Sequence, residues 1–515
     1  MLNWLKGGKV DHPLANVKDA RKVIDDFPYR DPWQTVEDVN YWLASINDTP
    51  EFKADHRFET LGMLDEATLK CHEQLLVSYV KLPDGERAQE RRIWKTSADY
   101  WSLLGAGYLG CIAQARESKN AAKEYKLILP LLVGRTLRAL RQQMKWTLLR
   151  YGAVSGGIWQ NFASCITLAE ATDSFTAQVE LYPGIASSLS SPSAEFLRAM
   201  MFWASSPSGL SPLEQDVADR VVAALTPKFR YDRSAWEGCE YCFDIEPARP
   251  PLRFTRSTPV SEATRYFDAA EAHQAVRAAY EQLARGGKLP LGLETGPATD
   301  VNVVARALKH LAINWAKDMP SRAFERRRTA LSLEVVHGYP QVLGALDPAS
   351  LDVFDASAAT KPDSWVAEDA SAGGYGVVVP PGRGDWLRVG MLLALRIDLE
   401  QNWTLGVIRR VKGDEHKQHR VGIQLISKVP VPVQLRTMSS AAQGGKLQGA
   451  LLLAARASAN GALHVMTKRD LYTGREALEA TFGAPPSAKV LENGAIVESG
   501  HDFEWMRYKL VEAVI

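Results

Sequence analysis

The hydrophobic period of this chain changes near Arg328, and that change limits its folds more than any other feature. Upstream, apolar residues recur at helical spacing; downstream, they alternate with polar ones. A 3.6-residue stripe buries one side of a helix, whereas a period of two buries one face of a sheet. The chain is therefore expected to be multidomain α + β. A mostly α-helical N-terminal region should precede a small antiparallel β-barrel and further C-terminal strands. At 515 residues there is room for about three domains of ordinary size. The expected divisions are an α-helical domain over 1–240, a helical connector over 241–320, a barrel over 321–430 and a β-rich extension over 431–515.

Asp31-Pro32 reads as an N-cap followed by proline at the first helical position. Val36, Val39, Leu43 and Ile46 then form one apolar stripe, with Trp42 beside them. Similar stripes run through 55–80, 85–116, 120–150 and 152–172, and Pro130 should start or kink a helix. Residues 228–257 are rich in Pro and Arg and read as irregular. A helix is expected over 260–285. Another, capped by Thr299 or Asp300, carries Val301, Val304, Leu308, Leu311 and Trp315 on one face.

The strand pattern begins at 329–343, where Leu331, Leu333 and Val335 alternate with polar neighbours. A small-residue, acidic insertion follows over about 344–364. Strands are then expected around 377–379, 391–397, 403–411 and 421–426, which suits a small closed barrel. More follow at 431–438, 447–455, 463–468 and 505–511, with a helix near 474–482. This tail either completes the barrel or forms a second small β module.

Composition narrows the function. The apolar fraction is 46% and the charged fraction 23%, as in folded soluble domains. A formal net charge of +1 gives no global field toward a nucleic-acid polymer or a membrane, so any anion site must be a local cluster. Five cysteines argue against a disulfide framework. With no signal peptide and no apolar run long enough to span a membrane, a cytoplasmic setting is expected.

Two motifs flank the first strands. Arg322-Ala323-Phe324-Glu325-Arg326 has the spacing R-x-x-x-R. Asp369-Ala370-Ser371-Ala372-Gly373-Gly374 has the spacing D-x-S-x-x-G. Arginine pairs phosphate oxygens through its fork and stacks its plane on a base. A carboxylate accepts from the N–H groups of a guanine edge, and serine donates or accepts. Together, in this order around a β-rich segment, the motifs resemble the two signatures of the PilZ domain, the bacterial receptor module for cyclic di-GMP. The run Arg420-Val421-Gly422-Ile423-Gln424-Leu425-Ile426 resembles a late strand of that domain. The resemblance covers about 320–430. It implies that Arg322 and Arg326 grip phosphates and guanine faces. Asp369 and Ser371 would contact a guanine edge and nearby ribose–phosphate, and Gly374 would shape the turn. Arg327 follows at once and is held as the reserve for the pair. The separation of the two motifs exceeds that of most members, the excess lying in the 344–364 insertion. Asp355-Ala356-Ser357 also begins D-x-S but lacks the glycine and reads as loop.

The resemblance implies a signal-transducing effector whose helical region meets an unidentified protein partner. A degenerate PilZ-fold scaffold or protein-interaction protein without nucleotide is the alternative. No enzyme is expected, because no nucleophile–base pair or metal set is nameable in residues 1–250; no cofactor or metal is expected either. Gly105-Ala106-Gly107-Tyr108-Leu109-Gly110 matches G-x-G-x-x-G, but its setting is helical and points to close helix contact. Cys239-Glu240-Tyr241-Cys242 has no second ligand pair and reads as two ordinary thiols. His416 and His419 lie in a solvated turn.

Overall fold

The computed structural model describes residues 12–83, 85–117, 127–185, 188–290, 293, 300–318, 324–347, 361–397, 400–441, 446–453, 462–482 and 487–511. Two units separate. One takes Met1–Arg150, Val154–Pro207 and Pro212–Met319; the other takes Tyr151–Ala153, Ser208–Ser211 and Pro320–Ile515.

The first unit opens with helices α1 (Val17–Asp25), α2 (Pro32–Asn47), α3 (Ala54–Val80), α4 (Arg87–Glu117), α5 (Leu129–Leu149) and α6 (Gly156–Ala171). A two-stranded sheet, β1 (Val179–Glu180) with β2 (Leu189–Ser190), precedes α7 (Pro192–Ala204) and α8 (Pro212–Leu225). The Asp31 side chain accepts from the N–H groups of Trp33 and Gln34, which starts α2 as its sequence predicts. Val36, Val39, Leu43 and Ile46 are fully buried. Pro130 sits in the first turn of α5. The glycine run lies inside α4, where the helix crosses its neighbours. A Cβ at Gly107 would come within 2.8 Å of Leu61 Cδ1, and one at Gly105 within 3.8 Å of Ala139 Cβ. Charge is buried in a pair where α5 meets α8: Lys145 Nζ, 2% exposed, donates to Asp216 Oδ1 and Asp219 Oδ2 at 2.8 Å each. Burial pushes the Asp219 carboxyl up, but Arg141 and Lys145 outweigh it and hold it well below the usual range.

A four-stranded sheet follows in the order β3-β6-β4-β5, from β3 (Arg230–Asp232), β4 (Tyr241–Asp244), β5 (Leu252–Arg253) and β6 (Thr264–Asp268). Residues 228–257 are thus not irregular throughout, and 260–285 is not one helix: β6 comes first and α9 (Glu271–Ala284) after it. These strands are too short to alternate visibly, and β6 is buried along its whole length, so period two never shows. In α10 (Val301–Asn314) Asp300 is the cap, accepting from Asn302 N–H; Thr299 is outside the described residues.

The second unit is β-rich. Its strands are β7 (Arg327–His337), β8 (Asp363–Ser371), β9 (Gly374–Val379), β10 (Leu392–Ile397), β11 (Thr404–Gly413) and β12 (His419–Ser427). They close into an antiparallel barrel ordered β10-β11-β12-β9-β8-β7. Leu333, Val335, Trp365, Ala367, Val377, Leu393, Ile408, Val421 and Ile423 fill its interior. The strand expected over 329–343 stops at His337. Gly338 takes φ +87°, and Pro340 enters the first turn of α11 (Tyr339–Leu346).

The tail is a second closed barrel, from β13 (Pro430–Thr437), β14 (Gln448–Leu453), β15 (Ala462–Lys468), β16 (Leu478–Phe482), β17 (Ser487–Ser499) and β18 (Phe503–Val511). The helix expected near 474–482 is β16 instead. Leu478 and Ala480 point into the barrel while Glu479 pairs with Arg436, a period of two over too few residues to read. Both barrels run first, second, third, sixth, fifth, fourth strand around the ring, so their connectivity is the same. They share a buried layer. Leu392, Ala394, Leu405 and Val407 of the first barrel and Val342 of α11 meet Leu451, Leu453, Met466, Phe503 and Trp505 of the second. Asp502 pins the layer, accepting from Tyr339 N–H at 2.6 Å and Leu392 N–H at 3.0 Å.

Candidate ligand-binding site

The second motif forms the hairpin between β8 and β9. Its last register pair is Ser371 with Gly374. Gly373 N–H donates to Ser371 Oγ at 3.3 Å, so the serine closes its own turn. Gly374 is required sterically: a Cβ there would sit 2.0 Å from Ile423 O. Leu425 N–H donates to Gly373 O at 2.9 Å and ties the turn to β12. A bulge between Ala367 and Asp369 re-aims the acid. Its carboxylate lies over Gly376, with Oδ2 2.6 Å from where a Cβ would be.

The first motif folds back onto this turn. Arg326 Nη1 donates to Asp369 Oδ1 at 2.7 Å, and each side chain is 34% exposed. The Phe324 ring comes within 2.7 Å of a Cβ position at Gly373. Basic and acidic members of two motifs distant in sequence therefore meet on one rim of a closed barrel. Residues 356–432 match the family described as "Cyclic-di-GMP receptor FimW, middle PilZ domain". Residues 356–432 are a PilZ domain. Residues 18–234 match "Cyclic-di-GMP receptor FimW, N-terminal domain", which covers most of the helical region. No curated protein matches the chain.

The PilZ match spans β8 to β12, whereas Arg326 and Arg327 lie ahead of it. Arg327 opens β7 opposite Ala370, and Arg328 stands opposite Asp369. Arg322 is outside the described residues. The structure thus brings together Arg326, Asp369, Ser371 and Gly374, with Arg327 one strand away. A partly exposed ion pair of this kind contributes about 0–1 kcal/mol, little enough for a ligand to exchange it.

Sequence reasoning missed a second layer of the rim. Arg409 Nε donates to Gln424 Oε1 at 2.7 Å, and its Nη2 donates to Glu498 Oε2 at 2.8 Å. Gln424 stands opposite Gly374 in the ladder. The Gly-Ile-Gln-Leu run of β12 signalled a strand, but nothing near it in sequence signals Glu498 on β17. Elsewhere, burial pushes the Cys239 and Cys242 thiols up to about 11, which suits unreactive thiols. Among the described residues no group of His, Cys, Asp and Glu could hold a metal ion, and no helix is long and apolar enough to cross a membrane.

Proposed function

We propose that this chain is a cytoplasmic effector that binds cyclic di-GMP at the rim of its PilZ domain. The contact between Arg326 and Asp369 carries this reading, because a cation for phosphate and an acceptor for guanine N–H groups stand side by side. Both family descriptions name a cyclic di-GMP receptor, which supports the same ligand. In this reading Arg326 and Arg322 grip phosphates and guanine faces, with Arg327 in reserve. Asp369 takes a guanine edge, Ser371 the adjacent ribose–phosphate, and Gly374 keeps the turn tight. Binding exchanges the Arg326–Asp369 pair for ligand contacts and re-aims the arginine segment. That segment follows Trp315, the C-cap of α10, so its movement repositions the helical region toward a protein partner. Calorimetry on the full chain with cyclic di-GMP tests the reading, with cyclic di-AMP and GTP as controls. Saturable heat only with cyclic di-GMP is expected; no heat with any of the three removes the receptor role.

A further inference from the structure

The outward face of the PilZ barrel carries a row that neither motif contains. The ladder sets Asp369 opposite Gly376, Gly376 opposite Gly422, and Gly422 opposite Arg410, across β8, β9, β12 and β11. Val377 and Val379, Val421 and Ile423 fill the barrel, so the alternating glycines face out. The Asp369 carboxylate lies against Gly376, and Arg410 Cβ lies 3.5 Å from a Cβ position at Gly422, so both flanking side chains share the glycines' face. An acid and a guanidinium therefore stand about 14 Å apart at their backbones, three strand spacings, with only the two glycines between them in this row, the first covered by the acid's own carboxylate and the second open. Arg326 adjoins the acid end. Arg410 Nε donates to Ser208 Oγ at 3.1 Å, which holds the root of its guanidinium.

Glycine inside a strand weakens it and marks close approach of a ligand or another backbone. Conformation does not demand glycine at 422, since its φ is not positive. Packing among the described residues does not demand it either: the Arg410 Cβ at 3.5 Å is an ordinary contact, and no other described heavy atom beyond its chain neighbours lies within 4 Å. The described residues give the missing side chain no cause, and space for an outside group accounts for it.

We propose that the open face at Gly422 is a shelf on which a guanine base lies flat, read from one end by Asp369, whose carboxylate covers Gly376, and from the other by Arg410. This deepens the receptor reading and rests on it. Guanine offers N–H donors at N1 and N2 and acceptors at O6 and N7, which match a carboxylate and a guanidinium respectively. Adenine carries an amino donor where guanine has O6, so it turns a donor toward Arg410. The shelf therefore selects guanine as well as holding it.

The experiment titrates the full chain and its Gly422→Val and Arg410→Met variants with cyclic di-GMP and cyclic di-AMP, and melts each protein. Gly422→Val should melt at or above the wild-type temperature yet bind cyclic di-GMP at least tenfold more weakly. Arg410→Met, which leaves the floor untouched, should lose about tenfold and narrow the preference over cyclic di-AMP. If both bind as wild type while Arg326→Ala does not, the shelf is wrong and the receptor reading stands. If Gly422→Val melts lower, glycine there is structural, and Arg410→Met alone decides. A wild-type chain that takes neither nucleotide overturns the receptor reading and the shelf with it.

Discussion

Arg326 shows how much one side chain decides. It has one described partner, the Asp369 carboxylate, and both are partly exposed, so their mutual attraction adds little to folding. Replacing it should scarcely move stability but should weaken cyclic di-GMP binding by about 2–5 kcal/mol, as for truncating one member of a desolvated charge pair. Calorimetry on Arg326→Ala measures the first quantity against the second. His72 acts in the opposite sense, on folding alone. It is packed against Tyr100 and Trp101 at ring distances of 4.0 and 4.8 Å. Neither ring nitrogen has a hydrogen-bond partner. Burial, and then the Arg138 charge, lower its pKa to about 3. Near pH 6.5 the unfolded chain takes up a proton that the folded chain refuses. Stability is therefore whole above pH 6.5 and falls as pH drops toward 3, by up to about 1.4 kcal/mol per unit. Asp216 and Asp219, also held low, add their loss only below about 4. Glu240, pushed up to about 7 by burial and by Asp268, opposes the trend between 7 and 4.5. Comparing His72→Phe with wild type isolates the histidine: its unfolding midpoint should vary less between pH 6.5 and 5.

At the scale of the element, the α4 glycines illustrate a motif whose meaning depends on its setting. Leucine at Gly107 would drive carbon into Leu61 and Asn47, and overpacking of this kind costs about 1–3 kcal/mol. A urea titration of Gly107→Leu should show that loss while cyclic di-GMP affinity stays at the wild-type value. Long elements were legible where their pattern repeats without a break; the 13-residue β17 was not, because register shifts between Glu492 and Ala495 and between Ile496 and Glu498 interrupt its alternation. The stripe from Val36 to Ile46 and the alternation from Leu331 to Val335 each repeat often enough to fix the period. Elements of five residues or fewer were not legible. Leu478–Phe482 and Thr264–Asp268 are strands because neighbouring strands pair with them, information that lies far away along the chain. The site divided in the same way. Asp369, Ser371 and Gly374 act through local turn chemistry and were readable as a motif. Gly376, Gly422 and Arg410 acquire meaning only once four strands are laid side by side.

For the whole molecule, the shared connectivity of the two barrels raises the question of a second nucleotide site. Strands β14, β15 and β18 are the counterparts of β8, β9 and β12. Their outward residues Leu451, Leu453, Met466, Phe503 and Trp505 are buried against the first barrel. The face that carries the candidate site in one barrel is consumed by packing in the other. Asp369→Asn, which keeps the shape and removes the charge, should therefore weaken all of the nucleotide binding together. A class of sites that keeps wild-type affinity in this variant would mean that the second barrel has a site of its own.

Asp502 has a consequence for anyone who cuts this protein. The chain passes between the barrels at Val429, which is 62% exposed and open to a protease. A break there severs the covalent link but leaves the Asp502 carboxylate of the C-terminal piece holding main-chain donors of the N-terminal piece, beside the apolar layer the two barrels share. The fragments should co-elute on size exclusion as one particle and part only in denaturant.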